Sequence, residues 1–368
     1  MYSSEEILAM VNQGLADLRL ERQPFGLYKP IRYVLSIGGK RLRPVLLMMS
    51  YNMYSDDLQK ALPTAVAIET YHNYTLLHDD VMDRAEVRRG KPCVHKVWNE
   101  NTAILSGDSM LVMAYELIAQ CQADCLSQVL DLFTTTALEI GEGQQYDVDF
   151  ENRMDVSVEE YIEMIRLKTS VLLACAMKMG AMQAGAPEGD CELLYRIGEK
   201  VGLAFQLQDD MLDVYGDFQT FGKRIGGDIL CNKKTYMLIK ALEGADEQQR
   251  RELESWIEAK QYDEDEKIAA VTNLYNQIGV RAICQQLIGE YFDEARELLD
   301  KVSLPAERKT LLWQYVLGLL GHGVAGRSSP HYAYGSAQKI RGRYQKAFVR
   351  EARHHRLVGC KRQKQLHL

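Results

Sequence analysis

Apolar positions in this chain recur every three or four residues. Tyr161, Ile162, Ile165, Leu172, Ala176 and Met179 keep that spacing over several turns, and Leu193, Ile197, Val201, Ala204, Phe205 and Leu212 repeat it. This is the period at which one face of an α-helix turns towards a core. No sustained period of two is found, nor any Asn-Gly or Asp-Gly hairpin turn, so strands are not expected. Proline is scarce, with none between Pro92 and Pro187 or between Pro187 and Pro305, which leaves long helices uninterrupted. Breaks are expected at Gly38-Gly39, Gly90-Lys91-Pro92, Ala184–Asp190 and Gly222–Gly227. Ser3 or Ser4 followed by Glu6 resembles a helix-opening cap. The pattern predicts an all-α protein: a single large bundle of about ten helices joined by short loops.

Composition narrows the class. The chain has 368 residues, 46% hydrophobic and 26% charged, which excludes a disordered or low-complexity fibre. No apolar run approaches the roughly 18 residues of a membrane span. The N-terminus carries early glutamates and no basic-then-apolar leader pattern, and the eight cysteines form no CxxC pair. A reduced, cytoplasmic setting is the expectation. The net charge of −7 is unevenly spread, because Gly321–Leu368 holds eleven Lys and Arg against the single acid Glu351. The acidic body that precedes it argues against nucleic acid as the main partner. Residues 321–368 are expected to be a disordered basic tail or a non-native extension, outside the domain formed by residues 1–320.

Two segments repeat one pattern. Leu76-Leu77-His78-Asp79-Asp80-Val81-Met82-Asp83 and Leu207-Gln208-Asp209-Asp210-Met211-Leu212-Asp213 each place carboxylates at i, i+1 and i+4 after an apolar run. On a helix, positions i and i+4 lie one above the other, roughly 6 Å apart. Asp79 therefore faces the same way as Asp83, and Asp209 the same way as Asp213. Three like charges on one turn of a half-buried helix need neutralising. Hard divalent cations bind such oxygen-only sets, and Mg²⁺ keeps water ligands and bridges to substrate phosphates.

Basic residues beside glycine loops complete the pattern: Gly38-Gly39-Lys40-Arg41-Leu42-Arg43-Pro44, Arg88-Arg89-Gly90, Lys168-Thr169, Gly222-Lys223-Arg224 and Asn232-Lys233-Lys234-Thr235. Arginine forks and lysine point charges suit phosphate oxygens. Together with the acidic clusters they describe a cavity for two diphosphates, one held through metal and one by cations alone.

With these motifs in order, the chain resembles the trans-prenyltransferases of the farnesyl and geranylgeranyl diphosphate synthase family. The match runs from about Pro30 to about Leu320 through GGKRLRP, HDDVMDRAEVRRG, KTS, FQLQDDMLD and GKRIGGDILCNKKT. The resemblance implies a single all-α domain with a central cavity, usually homodimeric. It implies that Asp79, Asp83 and Asp209 hold Mg²⁺ on the allylic diphosphate. Arg88, Lys168, Thr169, Gln206, Lys223 and Lys233 would line the allylic site. Lys40, Arg43, His72 and Arg89 would bind isopentenyl diphosphate without metal. Asp80 and Asp210 are expected to orient metal-bound water or neighbouring lysines. The reaction implied is head-to-tail condensation, in which metals spread charge on the departing diphosphate and a dry pocket protects the carbocation.

Product length is a steric matter. Tyr74 lies five positions before Asp79, and Thr75 four. In the family an aromatic residue with a small neighbour there usually halts growth at geranylgeranyl diphosphate, which is favoured over farnesyl diphosphate. Cys93 and Glu86 stand where threonine or serine and aspartate would be commoner. A class I terpene cyclase is the further alternative, but its second metal motif usually mixes Asn, Ser or Thr with Glu. A metal phosphohydrolase would need more histidines, so His78 is expected to be a packed or hydrogen-bonding helix residue.

Overall fold

Ser3 opens the first helix through a reciprocal cap: its hydroxyl accepts from the Glu6 N–H at 3.2 Å, and the Glu6 carboxylate accepts from the Ser3 N–H at 2.7 Å. The computed structural model describes residues 1–216 and 225–319. Helices follow almost without pause: α1 (Ser4–Ala16), α2 (Phe25–Ser36), α3 (Leu42–Asn52), α4 (Leu62–Met82), α5 (Val94–Val97), α6 (Glu100–Ile118) and α7 (Leu126–Phe150). After these come α8 (Val158–Ile165), α9 (Val171–Gln183), α10 (Glu188–Tyr215), α11 (Gly227–Leu230), α12 (Tyr236–Gly244), α13 (Glu247–Glu258), α14 (Glu264–Ile278), α15 (Val280–Lys301) and α16 (Ala306–Leu319). The all-α expectation holds. The helices outnumber the ten or so expected, partly because Gly279, at φ 84°, ends α14 and starts α15 where no break was foreseen. None of the described helices is long and apolar enough to cross a membrane.

The core centres on α9, which is buried on nearly every side from Val171 to Ala181. Helix α3 packs along it, and α10 lies against both α9 and α15, while α4 runs along α6. The approach of α10 is unusually close. A Cβ added at Gly198 would come within 2.6 Å of the Ala174 Cα, and one at Gly202 within 2.6 Å of the Ser170 Cα. Only glycine allows this contact, which sets the second aspartate motif, two to three turns further along α10, beside the turn that carries Lys168 and Thr169.

Two local features escaped the periodic pattern. Val87–Arg88 pairs antiparallel with Lys91–Pro92, joined by Arg89 at φ 52° and Gly90 at φ 74°. This is a two-residue turn with both central residues left-handed. Its usual Asn-Gly or Asp-Gly signature is missing because an arginine occupies the first position. Arg166–Ser170 forms a π-helical turn between α8 and α9, a widening often found at functional sites.

Candidate active site

The first aspartate motif closes α4. Asp79 is half-buried, and Asp83 caps the helix, its N–H donating to the Asp79 carbonyl at 2.8 Å. Burial raises the Asp79 carboxyl above its ordinary value. Lys168 opposes that rise and Asp83 adds to it. Asp80, one residue on, turns about 100° away and is buried against Arg88, whose Nε lies 2.9 Å from both carboxylate oxygens and Nη2 2.7 Å from Oδ1. Its partner among the described residues is thus an arginine. The Cys93 thiol also lies by Asp80, and burial together with that carboxylate pushes it up to about 12.

The second motif lies near the C-terminal end of α10. Asp209 is half-buried. Asp210 is buried, accepting from the Tyr161 hydroxyl and, at 2.8 Å, from Gln206 Nε2. The Gln206 carbonyl accepts in turn from the Thr169 hydroxyl at 2.9 Å. Burial, and then Asp228, pushes the Asp210 carboxyl up to about 7. Asp213 accepts from the Asp228 N–H at 2.9 Å. The central carboxylate of each motif is therefore buried and held by protein side-chain donors, Asp80 by Arg88 and Asp210 by Tyr161 and Gln206.

Lys233 is where the two motifs meet. Burial opposes its charge, yet Asp147, Asp228, Asp210 and Asp83 together hold the ammonium above its ordinary value. One side chain thus senses an acid from each motif. Lys168 pairs with Asp147 at 2.6 Å, and Lys233 and Lys168 together hold Asp147 below the usual carboxylate range against the effect of burial. Asp147 and Asp228 were not foreseen. Asp228 sits inside a segment already singled out for its lysines, whereas Asp147 carries no signal beyond being an acid on α7. Lys223 lies outside the described residues.

Asp79, Asp83 and Asp209 offer only oxygen ligands, and a cation would relieve the desolvation penalty on Asp79. Among the described residues no three His, Cys, Asp or Glu side chains converge tightly enough to hold an ion unaided. An ion here would complete its shell from water and diphosphate oxygens, as a hard divalent cation does.

The second basic group lies further back on α4. His72 Nε2 is 3.1 Å from Arg43 Nη1, and Arg89 donates to the Gly38 carbonyl. Burial, followed by Arg43, Arg89, Arg88 and Arg41, holds His72 well below 6.5, so the imidazole is neutral. Burial also lowers Arg43 to about 10, against the pull of Glu69. The buried Arg43 Nε has no hydrogen-bond partner among the described residues, which an anion would supply. Arg41, left-handed at φ 49° where it opens α3, is instead paired with Glu69 at 2.6 Å, both almost wholly buried. Lys40 is exposed at the rim.

Aromatic rings fill the α4–α6–α7 interface. Tyr74 meets His78 edge-on at 4.8 Å and Tyr71 at 5.4 Å, and Tyr71 meets Phe133 at 5.1 Å. Thr75 bonds its hydroxyl back to the His72 carbonyl at 2.9 Å. His78 Nε2 lies 3.1 Å from the Ile104 carbonyl, a packed helix residue as expected.

An all-α bundle with acidic motifs on two helices around shared lysines has the isoprenoid synthase fold, and its relatives agree. The polyprenyl synthetase family model matches residues 25–275. A geranylgeranyl diphosphate synthase of Methanosarcina mazei is 37% identical over 306 residues, covering 83% of this chain and 92% of that protein. A geranylfarnesyl diphosphate synthase of Aeropyrum pernix is 36% identical, covering 76% and 89%. A crystal structure of geranylgeranyl pyrophosphate synthase is 44% identical with a TM-score of 0.84, covering 88% of this chain and 99% of its own. A polyprenyl synthase from Caulobacter crescentus, complexed with calcium and isoprenyl diphosphate, is 28% identical with a TM-score of 0.79, covering 87% and 95%. The chain belongs to the polyprenyl synthetase family and is a prenyltransferase.

Proposed function

We propose that the enzyme condenses isopentenyl diphosphate head-to-tail (1′-4) with an allylic diphosphate, using Mg²⁺, and releases diphosphate and geranylgeranyl diphosphate. The observation that carries this reading is the relation of His72 to Asp79. They are seven residues apart on α4, two turns or about 10 Å along one helix face. Two anion sites of opposite design therefore share a face. The forward one is acid-rich and suits a metal-borne diphosphate. The rear one, with a neutral imidazole among arginines, suits a bare diphosphate.

Asp79, Asp83 and Asp209 would hold the ions, which when bound supply Lewis-acid stabilisation of charge on the leaving diphosphate. Lys168, Lys233 and Arg88 face the same group and hold its oxygens as the C–O bond breaks. Thr169 and Gln206 fix Asp210, and Lys223 would complete the allylic set. Arg43, Arg89, Lys40 and His72 hold isopentenyl diphosphate so that its double bond points at the allylic carbon. The departing diphosphate accepts the proton that is lost, so no protein base is required. The aromatic rings around Tyr74 keep water from the cation and limit chain growth.

Residues 1–320 form the catalytic domain in this reading, with 321–368 a basic extension the chemistry does not use. A homodimer is supported by large apolar side chains left exposed on α6 and α7: Leu105 at 59%, Val112 at 67% and Leu138 at 66%. The cysteines of the described residues are free thiols, which suits a reducing cytoplasm.

Incubation with Mg²⁺, isopentenyl diphosphate and farnesyl diphosphate, then dephosphorylation and chromatography, tests the assignment. Geranylgeraniol is the expected alcohol. With geranyl diphosphate as primer, chains that stop at farnesol would favour a farnesyl diphosphate synthase. A cyclised hydrocarbon, or phosphate release without extension, would overturn the reading.

A further inference from the structure

Lys267 of α14 is 1% exposed, a costly position for an ammonium group. Its Nζ donates to Asn232 Oδ1 at 2.7 Å, and it stands 4.2 Å from the centre of the Tyr262 ring. The hydrogen-bond partner is an amide, so no carboxylate attraction through that contact explains the burial. Asn232 is itself unusual. Its backbone is left-handed at φ 52°, a conformation that asparagine tolerates better than most residues. Its side chain is gripped from two sides, because Nδ2 donates to the Ile257 carbonyl at 3.1 Å while Oδ1 accepts from Lys267. The next residue is Lys233, the ammonium on which both acidic motifs act. A cavity of about 20 Å³ bordered by Asp228, Asn232, Lys233 and Lys267 leaves the turn room to shift if the grip is lost.

We propose that Lys267 is a positioning residue for the allylic site: by clamping the left-handed Asn232 turn it sets where the Lys233 ammonium stands between the two aspartate motifs. It touches no substrate and acts through Asn232. The inference rests on the assignment of Lys233 to the allylic diphosphate. A purely packing role would be served nearly as well by an apolar side chain of similar length, at the cost of the one hydrogen bond to Asn232. That difference makes the two roles separable.

The test compares Lys267→Met, Asn232→Ala, their double variant and Lys233→Ala in the full chain. Each is assayed with allylic diphosphate varied at saturating isopentenyl diphosphate, and the reverse. Lys267→Met should raise KM for the allylic diphosphate roughly tenfold, the scale of a small misplacement of a binding group. KM for isopentenyl diphosphate should stay within about twofold, with Tm lowered by no more than the loss of one hydrogen bond accounts for. Asn232→Ala should do the same, and the double variant should add nothing beyond the larger single effect. If Lys267→Met does not fold, Asn232→Ala alone carries the test. An allylic KM unmoved in Lys267→Met, or in Asn232→Ala, while Lys233→Ala raises it, overturns the positioning role alone. An allylic KM unmoved in Lys233→Ala overturns the assignment beneath it.

Discussion

Arg88 chelates Asp80 across eight residues, Nε reaching both carboxylate oxygens at 2.9 Å and Nη2 reaching Oδ1 at 2.7 Å. The pair divides labour within the first motif. In the proposed reading Asp79 and Asp83 would hold the metal, while Asp80 would aim a guanidinium at the allylic diphosphate. Asp80→Ala should therefore raise KM for the allylic diphosphate and leave the Mg²⁺ titration in place. Asp79→Ala should lower turnover by about 10²–10³, the scale for loss of one preorganised charge-stabilising group, and shift the Mg²⁺ requirement upward. Arg88→Lys should not restore the arginine's role, because an ammonium lacks the fork that grips both oxygens. Kinetics at several Mg²⁺ concentrations decide the matter. If Asp80→Ala moves the metal dependence as Asp79→Ala does, the division of labour is wrong.

The aspartate motifs were legible in the sequence because helical geometry converts a spacing of four into a shared face. The period of apolar positions marked helices for the same reason, and Ser3 with Glu6 marked the start of one. What stayed hidden depends on tertiary approach. Asp147 meets Lys168 only because α7 runs beside the π turn, and a widened helical turn leaves no trace in apolar periodicity. Arg41 looked like one more phosphate ligand, but its left-handed backbone at the start of α3 directs it onto buried Glu69. The Arg89–Gly90 turn lacked its usual residues, so the small hairpin that places Arg89 could not be foreseen.

His72 gives a pH signature. Burial and the surrounding arginines hold its folded-state value well below the 6.5 of an unperturbed histidine. Between that depressed value and 6.5 the unfolded chain binds a proton that the folded chain refuses. Stability from this group is therefore full above about 6.5 and is lost as pH falls through the window beneath it. His72→Gln should remove this contribution. Its urea midpoint should drop less than that of the unmodified protein between about pH 7 and about pH 5. Parallel pH profiles for the two proteins would show that His72 titrates normally.

Gly39 leaves room for the Arg89 guanidinium, which the proposed reading assigns to isopentenyl diphosphate. Its backbone stands at φ 140°, and a Cβ there would come within 2.7 Å of the Arg89 guanidinium carbon. Gly39→Ala must strain the backbone, at a cost on the order of 1 kcal/mol, and push the guanidinium aside. The expected result is a KM for isopentenyl diphosphate raised about tenfold, equivalent to roughly 1.4 kcal/mol, with the allylic KM unchanged. An equal rise in both constants would mean that the loop supports the whole site and not the rear pocket alone.

Tyr74 tests the limit on product length. Its ring meets His78 edge-on at 4.8 Å and Tyr71 at 5.4 Å, so it is locked among α4 neighbours one turn below Asp79. Burial raises its hydroxyl above the ordinary value, and in the proposed reading the ring is the wall that halts chain growth. Tyr74→Ala removes that wall and leaves space one turn below Asp79, so products longer than geranylgeranyl diphosphate should accumulate. The cost in stability should be about 2 kcal/mol, below that of a fully buried ring because Tyr74 is only half-buried. Filling the adjacent position should act in reverse. Among the described residues the Thr75 hydroxyl bonds to the His72 carbonyl within its own helix, at 2.9 Å, so Thr75→Phe adds bulk without removing a tertiary hydrogen bond to them and should shorten the product towards farnesyl diphosphate. Chromatography of the dephosphorylated alcohols measures both changes. An unaltered distribution in Tyr74→Ala would place the floor of the chain pocket on another helix.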